Sequence, residues 1–184
     1  MNKRKVYVVH SWMRDIDYHI ESKVHKAFFN KDVAVGYINE NSTILLEKIK
    51  NSYSSNTKIN MEVSENHIRY TEDIYTCGEL IINEFDVPIR KDLAEYYVIL
   101  TEQLEFYGVE TKVISVGQLT EIEAYKFFAK HIRKEESKNQ LIDYIVNGNS
   151  EYDKTITKDS AKFSCNWDEF DHYYSRLINM GIIR

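Results

Sequence analysis

The chain has one proline and six glycines among its 184 residues, so its turns must be built mostly from polar residues. The glycines never cluster, which excludes a glycine-rich phosphate loop. Two cysteines, Cys77 and Cys165, cannot form a disulfide framework, and beside Gly78 the first reads as a half-buried structural thiol. No apolar run reaches membrane-spanning length, and Met1-Asn2-Lys3-Arg4-Lys5 leads straight into a strand pattern without an apolar signal region. A cytoplasmic protein that engages no membrane is the expectation. The six histidines fall into no metal-ligand spacing, and no histidine–hydroxyl pair is duplicated, which argues against a two-histidine phosphoesterase. No metal or cofactor is expected. A net charge of −5 speaks against direct nucleic-acid binding by the chain as a whole.

What the chain does have is an echo of itself. Val6-Tyr7-Val8-Val9-His10-Ser11 returns as Tyr96-Tyr97-Val98-Ile99-Leu100-Thr101, and Ile20-Glu21-Ser22-Lys23-Val24 as Val109-Glu110-Thr111-Lys112-Val113. Asn30 through Ile38, with Ala34 and Tyr37, aligns with Thr120 through Phe128, with Ala124 and Phe127. Three segments in one order at nearly one offset imply a structural unit used twice. The β-branched and aromatic alternation of the first two segments predicts strands, and the third reads as a capped helix. Thr43–Ser52 reads as a second helix. Ile59, Met61 and Val63 alternate toward Ser64-Glu65-Asn66, with Ile68 and Tyr70 alternating on the return, which predicts a hairpin. Leu80–Val87 is a further strand, closed by Pro88.

In the second half Thr120-Glu121-Ile122-Glu123 is a capping box, and a second one at Ser137-Lys138-Asn139-Gln140 opens a short helix to Val146. Tyr152 to Ser164 reads as hairpin-like. Asn166-Trp167-Asp168-Glu169 opens a predicted final helix whose apolar face is Phe170, Tyr173, Tyr174, Leu177 and Ile178. The expected fold class is therefore α+β: two related β-β-α modules with mostly antiparallel sheets covered by helices. Residues 1–88 form an N-terminal module with an extra hairpin and strand. Residues 89–184 form a diverged repeat ending in a helix.

Charge is unevenly placed. Residues 62–86 carry seven acids against Arg69 alone, whereas residues 1–31 carry an excess of lysine and arginine. Tyrosine is abundant, at 14 residues, and several stand among acids. Aromatic anchors ringed by carboxylates suit a protein-binding surface. The candidate partner-binding residues are Glu62, Glu65, Tyr70, Glu72, Asp73, Tyr75 and Glu79, with Asp168, Glu169 and Asp171 near the end of the chain. A second constellation is Glu21-x-Lys23, repeated as Glu110-x-Lys112. Two residues apart on a strand share a face, so each pair sets a carboxylate beside an ammonium. With Asp17 as a further acid, Glu21 and Lys23 offer an alternative set for a metal-dependent nuclease. The simpler reading is a charged strand face paired to its neighbours.

Tyr7-Val8-Val9, the polar turn after it, a strand ending in an aromatic, the helix with Ala34 and Tyr37, and Leu80-Ile81-Ile82-Asn83-Glu84-Phe85 together resemble the small tandem β-β-α modules of uncharacterised phage and Gram-positive bacterial proteins. In kind, the chain also resembles phage anti-defence inhibitors of the anti-CRISPR type. That resemblance implies a non-enzymatic inhibitor whose partner is a host protein, such as a Cas effector or another nucleic-acid enzyme. It carries no catalytic residue and leaves the oligomeric state open. A small-ligand or nucleotide sponge, with a pocket between the repeats, is a further reading of the duplicated architecture.

Overall fold

The computed structural model describes residues 3–17, 19–54, 56–88, 95–105, 108–136, 152–165 and 172–181. The chain divides into two compact units, one reaching Val87 and the other starting at Pro88. In the first, β1 (Lys3–Arg14) and β2 (Ile20–Phe28) form an antiparallel pair. α1 (Lys31–Ser52) follows, then the antiparallel strands β3 (Ile59–Ser64), β4 (His67–Glu72) and β5 (Tyr75–Pro88). β5 returns to lie beside β1, giving the sheet order β2-β1-β5-β4-β3.

The Asn30 side chain caps α1 by accepting the backbone N–H groups of Asp32 and Val33. The helix then runs unbroken, where the sequence pattern predicts two. The polar residues between Ile38 and Thr43 do not end it because their side chains bond back to helix carbonyls. Asn41 Nδ2 donates to the Tyr37 oxygen, and Ser42 Oγ donates to that of Asn39. Ala34, Ile38, Leu45 and Ile49 form the buried stripe and pack on Tyr7, Val9, Met13 and the inner residues of β4 and β5.

The second unit repeats the element order. β6 (Tyr96–Glu105) and β7 (Gly108–Gln118) pair antiparallel and lead to α2 (Glu121–Glu136). Thr120 and Glu123 exchange hydrogen bonds at the start of α2, Thr120 N–H to Glu123 Oε2 and Glu123 N–H to Thr120 Oγ1. β8 (Tyr152–Ile156), β9 (Ser160–Cys165) and β10 (His172–Asn179) complete an antiparallel sheet of order β7-β6-β10-β9-β8.

β10 corrects the predicted final helix. Tyr173, Tyr174, Leu177 and Ile178 satisfy a helical stripe, but Tyr173, Ser175 and Leu177 also alternate at the period of a strand, and these three are the buried residues. Pairing on both sides, with β6 and β9, decides between the two periods. The predicted opening of that helix at residues 166–171, and the short helix to Val146, lie outside the described residues.

The architecture is thus two five-stranded, mostly antiparallel sheets with two helices, an α+β protein. In both units the strand order is second, first, fifth, fourth, third. Tyr7, Val9, Ala34 and Ile38 of the first core each stand 90 residues before a member of the second, namely Tyr97, Ile99, Ala124 and Phe128.

Candidate functional site

Two features of the first unit bring chemistry-bearing residues together. The first is a groove between α1 and the β1–β2 edge. The β1–β2 register shifts between Val9, opposite Lys26, and His10, opposite Val24, which leaves His25 as the extra residue of a β-bulge. The bulge turns His25 toward α1. Its Nε2 lies 2.7 Å from Ser11 Oγ, and its ring meets the Tyr37 ring edge-on with centroids 6.0 Å apart. Burial, with the nearby charges of Lys23 and Lys48, pushes the His25 imidazole down to about 4. Lys23 and Glu21 stand two and four residues before it on the same edge strand. Lys48 reaches across from α1 to Glu21 at 3.4 Å. The groove has a volume of about 230 Å³, with Met13, Ile44, Leu45 and Leu80 as apolar walls and Asn41 beside them.

A smaller groove of about 160 Å³ occupies the matching seam of the second unit. It is lined by Thr101, Gln103, Glu110 and Lys112. Thr101 lies opposite Lys112 and Gln103 opposite Glu110, just as Ser11 lies opposite Lys23 and Met13 opposite Glu21. His131 and Glu135 of α2 stand where α1 has Asn41 and Leu45. Burial lowers the His131 imidazole, whose Nε2 lies 3.4 Å from the Tyr173 hydroxyl. Both Glu-x-Lys pairs therefore face a groove within their own unit.

The nuclease alternative needs a third carboxylate beside Glu21. Asp17 sits in the β1–β2 turn, its N–H held by Asp15 Oδ1 at 3.0 Å, while Glu21 is engaged by Lys48. Among the described residues no group of three or more His, Cys, Asp or Glu is placed to hold a metal ion.

The second feature is one end of the first sheet. Trp12 Nε1 donates to Glu79 Oε2 at 2.8 Å, and Gly78 faces the Trp12 oxygen and Met13 Cα, so the last residues of β1 lie beside the first of β5. This sets the β1–β2 turn and the β4–β5 turn at the same end. Ile16 (56 % exposed), Ile74 (85 %) and Tyr75 (61 %) project there among Asp15, Asp17, Glu72 and Asp73. Asp73 holds the tight turn at φ +51°, a left-handed conformation that Asp tolerates better than most residues.

The predicted acidic set divides accordingly. Glu72, Asp73 and Tyr75 belong to this exposed end. Tyr70 is a correction: it is fully buried, and its hydroxyl donates to the Ser42 oxygen of α1 at 2.7 Å, so it cannot anchor a partner. Glu79 is half-buried and engaged within the sheet, accepting from both Trp12 and Arg69. Glu65 pairs with Lys31 at 2.9 Å and Glu84 with Lys5, so part of the basic N-terminal segment is spent on the acidic stretch. Glu62 is exposed on β3 opposite Arg69. Asp168, Glu169 and Asp171 lie outside the described residues. Reading the sequence missed Ile16 and Ile74, and the groove residues Ser11, His25, Tyr37, Asn41 and Lys48.

Cys77 is buried, and burial pushes its thiol up to about 11, which leaves it protonated and inert near neutrality. Among the described residues no helix is long and apolar enough to cross a membrane. No known protein family, curated protein or solved structure matches the chain.

Proposed function

We infer that the chain is a non-enzymatic binding protein that seats the acid-ringed apolar end of its first unit in an electropositive site on another protein. The observation that carries this reading is the exposure of Ile16, Ile74 and Tyr75 together at one end of the sheet, with Asp15, Asp17, Glu72 and Asp73 around them. Burying a large apolar side chain is worth roughly 1.5–3 kcal/mol. Three of them in one place favour a covered state, and the acids select a basic rim as the cover. A host nucleic-acid enzyme such as a Cas nuclease has a groove of that kind, which supports inhibition by occupation of the groove.

The two units are, on this reading, copies of one β-β-α-β-β-β module. The shared strand order, the core positions 90 residues apart and the matched grooves support common descent. The first copy has acquired the docking end. A nuclease built on Asp17, Glu21 and Lys23 has less behind it, because Glu21 is turned toward Lys48.

The test is capture from bacterial lysate on the immobilised full chain, with Ile74→Asp and Tyr75→Ala chains of equal stability run in parallel. A basic protein retained by the unaltered chain, eluted by salt and lost from both variants is the expected result. Retention of the same proteins by all three chains contradicts the proposal.

A further inference from the structure

We propose that the groove between α1 and the β1–β2 edge of the first unit binds a small organic anion, a carboxylate or phosphate carried on a compact apolar or aromatic body. This inference is independent of the protein-docking reading and concerns a different face of the unit. Three observations carry it.

The first is charge. Lys23 and Lys48 line the groove against the single acid Glu21, which pairs with Lys48, so the described lining carries a surplus positive charge. That Lys23 and Lys48 both disfavour the imidazolium of His25 reports the same positive potential.

The second is the arrangement of donors and apolar walls. Ser11 is almost fully buried, and its Oγ lies within hydrogen-bond distance, 2.7 Å, of His25 Nε2. In the tautomer with hydrogen on Nε2, the imidazole donates to Ser11 Oγ and the serine hydroxyl is released to donate to a ligand oxygen. Met13, Leu45 and Leu80 then face the ligand body, with the Tyr37 ring beside them and Ile44 half out of the mouth. At about 230 Å³ the groove is below the usual size of drug-sized pockets, which begins at roughly 300 Å³, and so suits a metabolite-sized molecule.

The third is the internal comparison. The second unit keeps Thr101, Glu110 and Lys112 at the matching positions, but replaces His25 by Ile114 and Leu45 by Glu135. Two acids now face one lysine, so the second groove repels the anion that the first attracts. The module has kept the seam and changed its charge, which is the signature of a site diverging in specificity.

The test is nuclear magnetic resonance titration of the full chain with benzoate, phenyl phosphate and inorganic phosphate, with benzyl alcohol as the neutral control. Saturable shifts at Ser11, Lys23 and the His25 ring are expected with benzoate or phenyl phosphate, with Kd of about 1 mM or tighter. The stronger of the two identifies the anion class. Thr101 and Lys112 should not move. Lys23→Met and Lys48→Met, both at exposed positions, should each weaken binding by about tenfold while leaving the spectrum of the second unit unchanged. Absence of saturable shifts with every anion overturns the proposal, as does equal binding of benzyl alcohol or by the Lys23→Met chain. Inorganic phosphate binding as tightly as phenyl phosphate would contradict the role given to the apolar walls.

Discussion

His10 has only 1 % of its surface exposed, and its Nδ1 lies 2.8 Å from the Asn83 amide nitrogen, which can only donate. The ring is therefore the neutral tautomer with its hydrogen on Nε2. Burial pushes its pKa from 6.5 down to about 4, with Glu79 pulling it up and His25 and His67 pushing it further down. The unfolded chain thus binds this proton more readily than the fold does. The stabilisation is complete above pH 6.5 and is lost as pH falls toward 4, by roughly 3 kcal/mol for His10 alone. His25 adds in the same direction, less strongly because it is more exposed. We predict that denaturant unfolding loses stability steeply between pH 6.5 and 4. His10→Gln should be less stable than the unaltered chain at pH 7 yet lose markedly less on acidification. Equal losses in the two chains would mean that His10 is not held neutral by burial.

At the scale of elements, α1 can lie close to its sheet because Gly78 stands on β5 beneath it. A Cβ at that position would sit 2.7 Å from Ile49 Cδ1 and 3.1 Å from the Trp12 oxygen. Ile49 is fully buried and the oxygen belongs to the backbone of a central strand, so neither can move freely. Gly78→Ala should cost about 1–3 kcal/mol of unfolding free energy, as overpacking usually does. A neutral effect in thermal or denaturant unfolding would contradict the close approach. Much of this layer was legible in the sequence. The echoed strands contain Val6–Ser11 and Tyr96–Thr101, and the caps at Asn30 and Thr120 open the two helices. What was not legible depended on long-range pairing. Tyr173 to Ile178 fits two periods, and only the flanking strands choose between them. Tyr70 looks like any tyrosine in an acidic stretch until the helix carbonyl that it reaches, 28 residues away, is known. The Glu21 and Lys23 charges could be read from spacing, but Ser11 meets His25 only through a bulge that no local pattern announces.

At the scale of the whole molecule, both sheets share one strand order, while Met13 and Leu45 of the first core are Gln103 and Glu135 at the positions 90 residues on. The central claim is that the end formed by Ile16, Ile74 and Tyr75 docks through its apolar residues and is steered by its acids. Steering acts over the screening length, about 8–10 Å at physiological salt. The most direct measurement is the rate of association and of dissociation, at low and high ionic strength, between the chain and the purified protein that it captures. The account predicts that salt slows association of the unaltered chain. Changing Asp17, Glu72 and Asp73 together to Lys should slow association about tenfold or more at low salt with little change in dissociation, while Lys at the left-handed Asp73 position lowers stability modestly. Tyr75→Ala should instead speed dissociation. Association that ignores both salt and the triple charge reversal would contradict the account.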